Sequence, residues 1–513
     1  QISQMRTVTN RRQSEMNSGT QQNSTDNTKQ KSSIIFGSDF KMRQQEISNL
    51  FKLDENFDLL HREVRIGGRK VSIYSVDGFL PGDTIEKLMQ FFYSIKEEDM
   101  PENLAGFISK STPFVDIIEI DKEQDFIDNF LAGLTCMMIE GYEGILALDL
   151  REYPGRSVEE PEKDKVLRGS RDGFIEALIP NMALIRRRIR DKNLMFKFAR
   201  VGRSSRTDIA VGYMYGRVNE KDVKKVMDSI NSMDVDALTM NQESLAEMLF
   251  PGKWINPFPK YKYTERPDTA AASMLEGSIV ILVDNSPAVM ILPTSLFGII
   301  EDANDYYFPP VTGTYLRITR MVTNILAVFI TPVFLLLIEN PEWVPKPLEF
   351  ILIRDDINVA PVFQFLILEF AIDGLKMAAV NTPNMLTTPL SIVAGIVFGD
   401  YTVDSGWFNP EIMLYMAFVA VANYTQSNME LTYAVKFHRV ILLILTSIFG
   451  VYGFIAGTVL LIASLLMTHT LLGEGYLYPL IPFNAKCLAR RFFRMSLPAY
   501  EKTHKRERQS SKQ

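Results

Sequence analysis

The chain has 513 residues, 61 acids against 55 lysines and arginines, and a formal net charge of −6. That length suits two or three domains. The mild acidity and the lack of an aromatic-studded basic motif give no reason to expect a nucleic-acid partner. Two cysteines, Cys136 and Cys487, lie in opposite halves, so neither a disulfide framework nor a thiolate metal site follows, and both read as reduced thiols.

Residues 1–33 are a tract of Gln, Asn, Ser and Thr. Such a tract cannot bury enough surface to offset its ordering entropy, so a disordered polar tail is expected. No signal peptide is visible, and a start at Gln rather than Met suggests a short missing upstream piece. The large first half is therefore expected in the cytoplasm. From residue 34 the pattern is mixed α/β. Residues 62–79 alternate around Gly67-Gly68, a hairpin signal, and 83–95 form an amphipathic helix with an acid at its start. Residues 135–150 again read strand, turn, strand. The charged, proline-containing stretch around 154–161 divides a first subdomain, 34–153, from a second, 162–305. The second is expected to hold a helix over 174–189, strands over 194–201 and 209–213, and a helix over 220–230. It ends in buried strands over 278–284 and 288–293, joined by Asn285-Ser286-Pro287.

The most basic stretch, RRRIRDKNLMFKFARVGRSSR (186–206), reads as a solvated helix end and an edge strand. Its functional alternative is a platform for anionic lipid head groups or a subunit contact. RGSRDGF (168–174) sets Gly and Arg before a helix but lacks the glycine spacing and Lys-Ser/Thr pair of a phosphate loop, so nucleotide binding is not expected. No HExxH, GxSxG or paired-cysteine site occurs, and the four histidines sit in unrelated contexts. No enzyme, cofactor or metal is expected.

After residue 321 the chain turns strongly apolar, and 315–485 is expected to be a transmembrane helical domain followed by a basic cytoplasmic tail, 486–513. Residues 321–338 are uncharged and long enough to cross, with Arg317 and Arg320 before them and Glu339 and Glu342 after, so they run outward. Residues 361–383 carry Glu369, Asp373 and Lys376 within one sector of a helix face. If this segment spans inward, the acidic loop 400–411 falls outside and KFHR (436–439) inside, as charge bias requires. Uncharged runs over 382–399 and 412–429 supply two more crossings. The last block, 440–472, would extend roughly 50 Å as one helix, against a hydrocarbon core of about 30 Å. With Gly450, Gly453 and Gly457 near its middle, it is expected to fold as a short helical hairpin. Two GxxxG spacings, Gly395/Gly399 and Gly453/Gly457, permit close helix approach. An ionisable group at membrane depth is costly unless paired or facing water. Glu369, Asp373 and Lys376 are thus either a buried ion-pair cluster or the lining of a hydrated path formed by several protomers.

Four stretches carry a family resemblance: KVLRGSRDGFIEALIPNMALIRRRIRD (165–191), YTERPDTAAASMLEGSIVILVDNSPAVMILPTSLF (263–297), VTGTYLRITRM (311–321) and YPLIPFNAKCLARRFFR (478–494). They resemble the A subunits of spore germination receptors, the GerA type, over nearly everything from about residue 36. REYPGRSVEEPEKDKVLRGSRDGF and YTERPD favour a sporulation-protein branch over the nutrient-receptor subunits. With the residue pattern, the fold class is α/β cytoplasmic domains plus a C-terminal α-helical polytopic membrane domain. The resemblance implies a multi-pass protein of the inner spore membrane, acting in germination, with both termini cytoplasmic. It also implies oligomers of A-type subunits that conduct monovalent cations, which makes Glu369, Asp373 and Lys376 pore candidates. The expected partners are inner spore membrane lipids, further copies of the chain and other germination membrane proteins. A nutrient-receptor A subunit and a non-conducting scaffold stand as alternatives.

Overall fold

The computed structural model describes residues 37, 39–111, 116–154, 166–250, 255–381, 395, 400–468, 470–472 and 475–496. The expected polar tail, the 155–165 part of the linker and nearly all of the 382–399 run, Gly399 included, lie outside them.

The first unit comprises α1 (Phe40–Phe51), β1 (Leu59–Ile66), β2 (Arg69–Val76), α2 (Gly82–Ser94), α3 (Leu104–Ser111), β3 (Ile117–Ile120), α4 (Glu123–Leu131), β4 (Thr135–Ile139) and β5 (Ile145–Leu148). Gly67 and Gly68 adopt φ of 50° and 76°, the two positive values of a tight two-residue turn, and pairing starts at Ile66 opposite Arg69. The sheet is antiparallel in the order β1-β2-β4-β5-β3. Both faces are covered. Tyr74, Val76, Cys136 and Met138 pack on one side with Phe51, Phe126 and Phe130, while Val71, Ile73, Met137 and Ile139 pack on the other with Phe92 and Phe107. The period of two in side-chain direction makes this division from one continuous apolar run.

The second unit comprises α5 (Leu178–Arg188), β6 (Leu194–Val201), β7 (Thr207–Met214), α6 (Glu220–Asn231), α7 (Asn241–Leu249), β8 (Lys262–Thr264), α8 (Pro267–Glu276), β9 (Ile279–Val283) and β10 (Val289–Leu292). Its sheet order, β6-β7-β9-β10-β8, is that of the first unit. Both units run helix, strand, strand, helix, helix, strand, helix, strand, strand, so the α/β half is a structural tandem repeat. Helix α5 joins the two: Arg186 is fully buried and grips Asp58 of the first unit through Nε and Nη2 at 2.6 and 2.8 Å. Arg186 is therefore a buried link between units rather than part of a solvated helix end, because its fork finds a matching carboxylate.

The helical part follows α9 (Leu296–Ile300) and α10 (Asn304–Tyr307). It contains α11 (Pro310–Glu339), α12 (Pro361–Asn381), α13 (Asp400–Asp404), α14 (Pro410–Tyr424), α15 (Met429–Met467) and α16 (Ala485–Phe492). Among the described residues, α11 and α15 are long and apolar enough to cross a membrane. Helix α12 has the length but carries three charged side chains, and α14 extends only ~22 Å at 1.5 Å per residue. Helix α15 is two arms. Gly450, at φ 54° and ψ −131°, breaks it, and a Cβ on Gly453 would collide with the Leu445 carbonyl oxygen. One on Gly457 would lie 3.2 Å from Leu442 Cα. The chain thus doubles back on itself at Gly450, forming the expected hairpin, with the Gly453/Gly457 spacing at the contact.

The sequence reading of 412–429 as a crossing followed by an inside loop at 436–439 needs correction. Helix α14 ends at Tyr424, and Asn428 caps the next helix by accepting from Leu431 N at 2.7 Å. The turn is thus 425–428, and Lys436 to Arg439 lie within the first arm of α15.

Candidate functional site

Charge at the centre of the helical part is concentrated between α12 and the first arm of α15. Helix α12 runs antiparallel to α11: Phe365 meets Phe334, and Glu369 lies level with Ala327. Helical spacing puts Glu369 and Asp373 one turn apart on the face turned toward α15, where Lys436 and Arg439 stand three residues apart. Arg439 Nε donates to Glu369 Oε1 at 2.5 Å, and Arg439 Nη1 donates to the Ala327 carbonyl at 2.9 Å. Lys436 Nζ is ion-paired with Asp373, lies 3.6 Å from Glu369 Oε2 and donates to the Glu369 carbonyl at 3.1 Å. Two acids and two bases therefore cancel.

Burial divides the cluster. The side chains of Glu369 and Arg439 are 8% and 1% exposed, while that of Asp373 is 23% exposed. Arg439 Nη2 is buried without a hydrogen-bond partner among the described residues. The structure brings Glu369 and Asp373 together but does not pair them with Lys376. Lys376 Nζ sits 5.2 Å from the centroid of the Tyr424 ring, a cation–π contact with α14. The bases that matter, Lys436 and Arg439, were missed as site residues because they read as a loop flank. The signal that could have found them is their spacing, Lys-x-x-Arg on one helical face beside an apolar run, complementary to Glu-x-x-x-Asp.

A second charged centre lies where the α/β units meet α11. Asp305 is fully buried and accepts from Arg317 Nε at 3.3 Å and from Arg320 Nη1 and Nη2 at 3.1 and 3.2 Å. Glu301 lies 3.2 Å from Arg317 Nη1 and 2.7 Å from Arg491 Nη1. Arg317 also donates to the Arg490 carbonyl at 3.1 Å, and Arg494 N donates to Thr314 Oγ1 at 3.0 Å. Gly313 is required there, since a Cβ would strike the Asp305 carbonyl oxygen. Arg317 and Arg320, expected only as a positively charged flank, are structural members of this joint. It fastens the second unit, α11 and the C-terminal segment to one another. No cluster of His, Cys, Asp and Glu suited to a metal occurs among the described residues.

With this geometry in hand, comparisons with known proteins are specific. The family model described as Bacillus/Clostridium GerA spore germination protein matches residues 45–506. Stage V sporulation protein AF of Bacillus subtilis (strain 168) is 34% identical over 457 residues, covering 89% of this chain and 92% of the relative. Spore germination protein KA of the same organism is 26% identical over 452 residues, covering 87% and 82%. Spore germination protein GerLA of Bacillus cereus is 27% identical over 446 residues, covering 85% and 90%. Among solved structures, the N-terminal domain of the A subunit of the Bacillus megaterium spore germinant receptor GerK3 is similar at 21% identity. It covers 50% of this chain and 95% of its own, with a TM-score of 0.38.

Proposed function

The chain belongs to the GerA spore germination protein family, and from that premise we propose that it acts in endospore germination as a channel for monovalent cations in the inner spore membrane. Several copies surround the path, the α/β units lie in the cytoplasm, and no catalytic step or cofactor is assigned. The partners are membrane lipids, further copies of the chain and other germination membrane proteins. The greater identity to Stage V sporulation protein AF than to KA or GerLA favours that branch over a nutrient-receptor A subunit.

The observation that carries the channel reading is the uneven treatment of the three charges on α12. Glu369 is sealed by Arg439 and fixes α12 to the α15 hairpin. Asp373, though paired with Lys436, lies at the more exposed edge of the cluster, and Lys376 sits over the Tyr424 ring rather than in an ion pair. A helix using ionisable groups for packing alone would neutralise all of them, since each unpaired charge is costly at that depth. In this reading Asp373 and Lys376 border the hydrated path, and Glu369 holds the wall in place. Nearby, Phe370 and Val380 of α12 are 80% and 85% exposed, apolar surface suited to a neighbouring copy or lipid. The joint around Asp305 would carry rearrangements of the α/β units into α11.

A second reading, a non-conducting scaffold, draws on the same cluster, because four of its charges already cancel within one chain. Electron microscopy of the purified full chain separates the two. Closed rings with a central hydrated path bordered by α12 support the channel. Single copies, or rings with Asp373 and Lys376 turned to lipid, favour the scaffold.

A further inference from the structure

The seam between the two α/β units holds a basic constellation that the channel reading does not use. The loop Gly169-Ser170-Arg171-Asp172 and the end of α5, with Arg187, Arg188 and Arg190, wall an open cleft of about 620 Å³ that Pro154 closes on the side of the first unit. These are the RGSRD and RRRIR stretches of the sequence, brought face to face.

The loop is held in place from behind. Its Ser170 carbonyl accepts from Arg266 Nη2 at 2.8 Å, and Arg266 grips Asp268 through Nε and Nη2 at 3.0 and 2.7 Å. The Tyr307 hydroxyl donates to the same Asp268. Gly169, at φ 135°, packs so tightly on the Tyr307 ring that no Cβ fits. The YTERPD motif thus supports the RGSRD loop. Across the cleft, Arg188 Nη2 donates to both Asp172 oxygens at 2.6 Å and to Ser170 Oγ at 3.1 Å, which cancels the carboxylate. Tyr153 of the first unit orients two more cations: Arg187 lies over its ring at 4.7 Å and Arg190 Nη2 donates to its hydroxyl at 3.3 Å. Arg171, Arg187 and Arg190 are exposed and have no carboxylate partner among the described residues. Four guanidiniums less one carboxylate leave three positive charges on the cleft wall.

A solvated basic face would not need a braced loop and a tyrosine platform. Planar guanidinium forks match the oxygens of a phosphoryl group in pairs. We propose that this cleft is a binding site for a phosphate group, borne by a soluble phosphorylated molecule or by a lipid headgroup, which bridges the two α/β units.

The test uses the full chain in detergent micelles and calorimetric titration in two arms. One arm titrates sodium pyrophosphate against sodium chloride of matched ionic strength. The other titrates short-chain phosphatidylglycerol against phosphatidylcholine. Saturable binding in the first arm assigns a soluble ligand, and in the second a headgroup; either supports the site. Arg171→Gln with Arg190→Gln should weaken that binding roughly 100-fold, about tenfold for each charge-assisted contact removed. Arg168→Gln, in the same loop but outside the cleft wall, should leave it within about twofold. Arg171→Lys keeps the charge without the fork and should still cost about tenfold, so the single variants carry the test if the double variant fails to fold. No saturable binding in either arm, or binding that the cleft variants leave intact, overturns the proposal.

Discussion

Replacing Glu369 with Gln asks directly whether the α12 charges are packed or hydrated. At 2.5 Å and an effective dielectric near 20, the attraction between Glu369 and Arg439 is ~7 kcal/mol before desolvation is deducted. Removing one partner of such a buried pair costs about 3–5 kcal/mol, because the other charge is left uncompensated. Glu369→Gln strips two bases of a carboxylate, Arg439 at 2.5 Å and Lys436 at 3.6 Å. Arg439→Gln still leaves Glu369 within reach of Lys436. Glu369→Gln should therefore be the more damaging single change. The double variant retains the neutral Asp373–Lys436 pair and should recover at least half of the loss. For the purified protein in detergent, the single changes should lower the apparent melting temperature by roughly 6–20 °C, taking about 2–4 °C per kcal/mol. Heating followed by size-exclusion chromatography reads this. Single variants that cost less than about 1 kcal/mol, or a double variant as damaged as the sum of the two, would mean that these charges sit in water and that the packing account is wrong.

Other elements yield sharper local tests. Gly453→Leu places a side chain against the Leu445 carbonyl and should prevent the α15 hairpin from closing, seen as loss of membrane-inserted, monodisperse protein, whereas the same change at exposed Ile455 should be tolerated. Gly313→Ala drives a methyl group toward the Asp305 carbonyl and should loosen the joint, read as faster hydrogen exchange at 301–320 with the two sheets still protected. Burial pushes the Asp172 carboxyl up, but hydrogen bonds from Arg188 and Ser170 outweigh it and hold the group below its ordinary value. A depressed carboxyl contributes stability above its unfolded value and loses it as pH falls through the folded one. The melting-temperature gap between the parent and Asp172→Asn should accordingly be constant at neutral pH and close only as pH falls through about 4 and lower. A gap that persists in stronger acid would refute that role for the pair.

Local signals carried much of this structure. Gly67-Gly68 between alternating runs allowed little other than a tight hairpin, and the amphipathic run over 220–230 is α6, whose start the structure caps with the Asn219 side chain accepting from Lys221 N at 3.1 Å. The length of the 440–472 block, set against bilayer thickness, called for a break, and Gly450 supplies it. The family resemblance read from 165–191, 263–297, 311–321 and 478–494 is the family matched. Contacts between distant residues were not legible. Lys436 and Arg439 looked like a flank because charge bias treats every basic group as solvated, while pairing with acids more than sixty residues away changes that. Arg186 looked exposed for the same reason, its Asp58 partner lying in the other unit. The tandem repeat was hidden because strand order is a property of pairing, not of composition.

Cation efflux from liposomes holding the purified full chain tests the central claim most directly. The vesicles are loaded with potassium, and rates are compared for the parent, Asp373→Asn and Lys376→Gln. A channel whose path borders α12 predicts efflux well above that of protein-free vesicles, with rate or ion preference shifted by both substitutions and, for Lys376→Gln, which breaks no ion pair among the described residues, a melting temperature near that of the parent. Efflux indistinguishable from empty vesicles in closed, correctly assembled rings would contradict it and leave the scaffold.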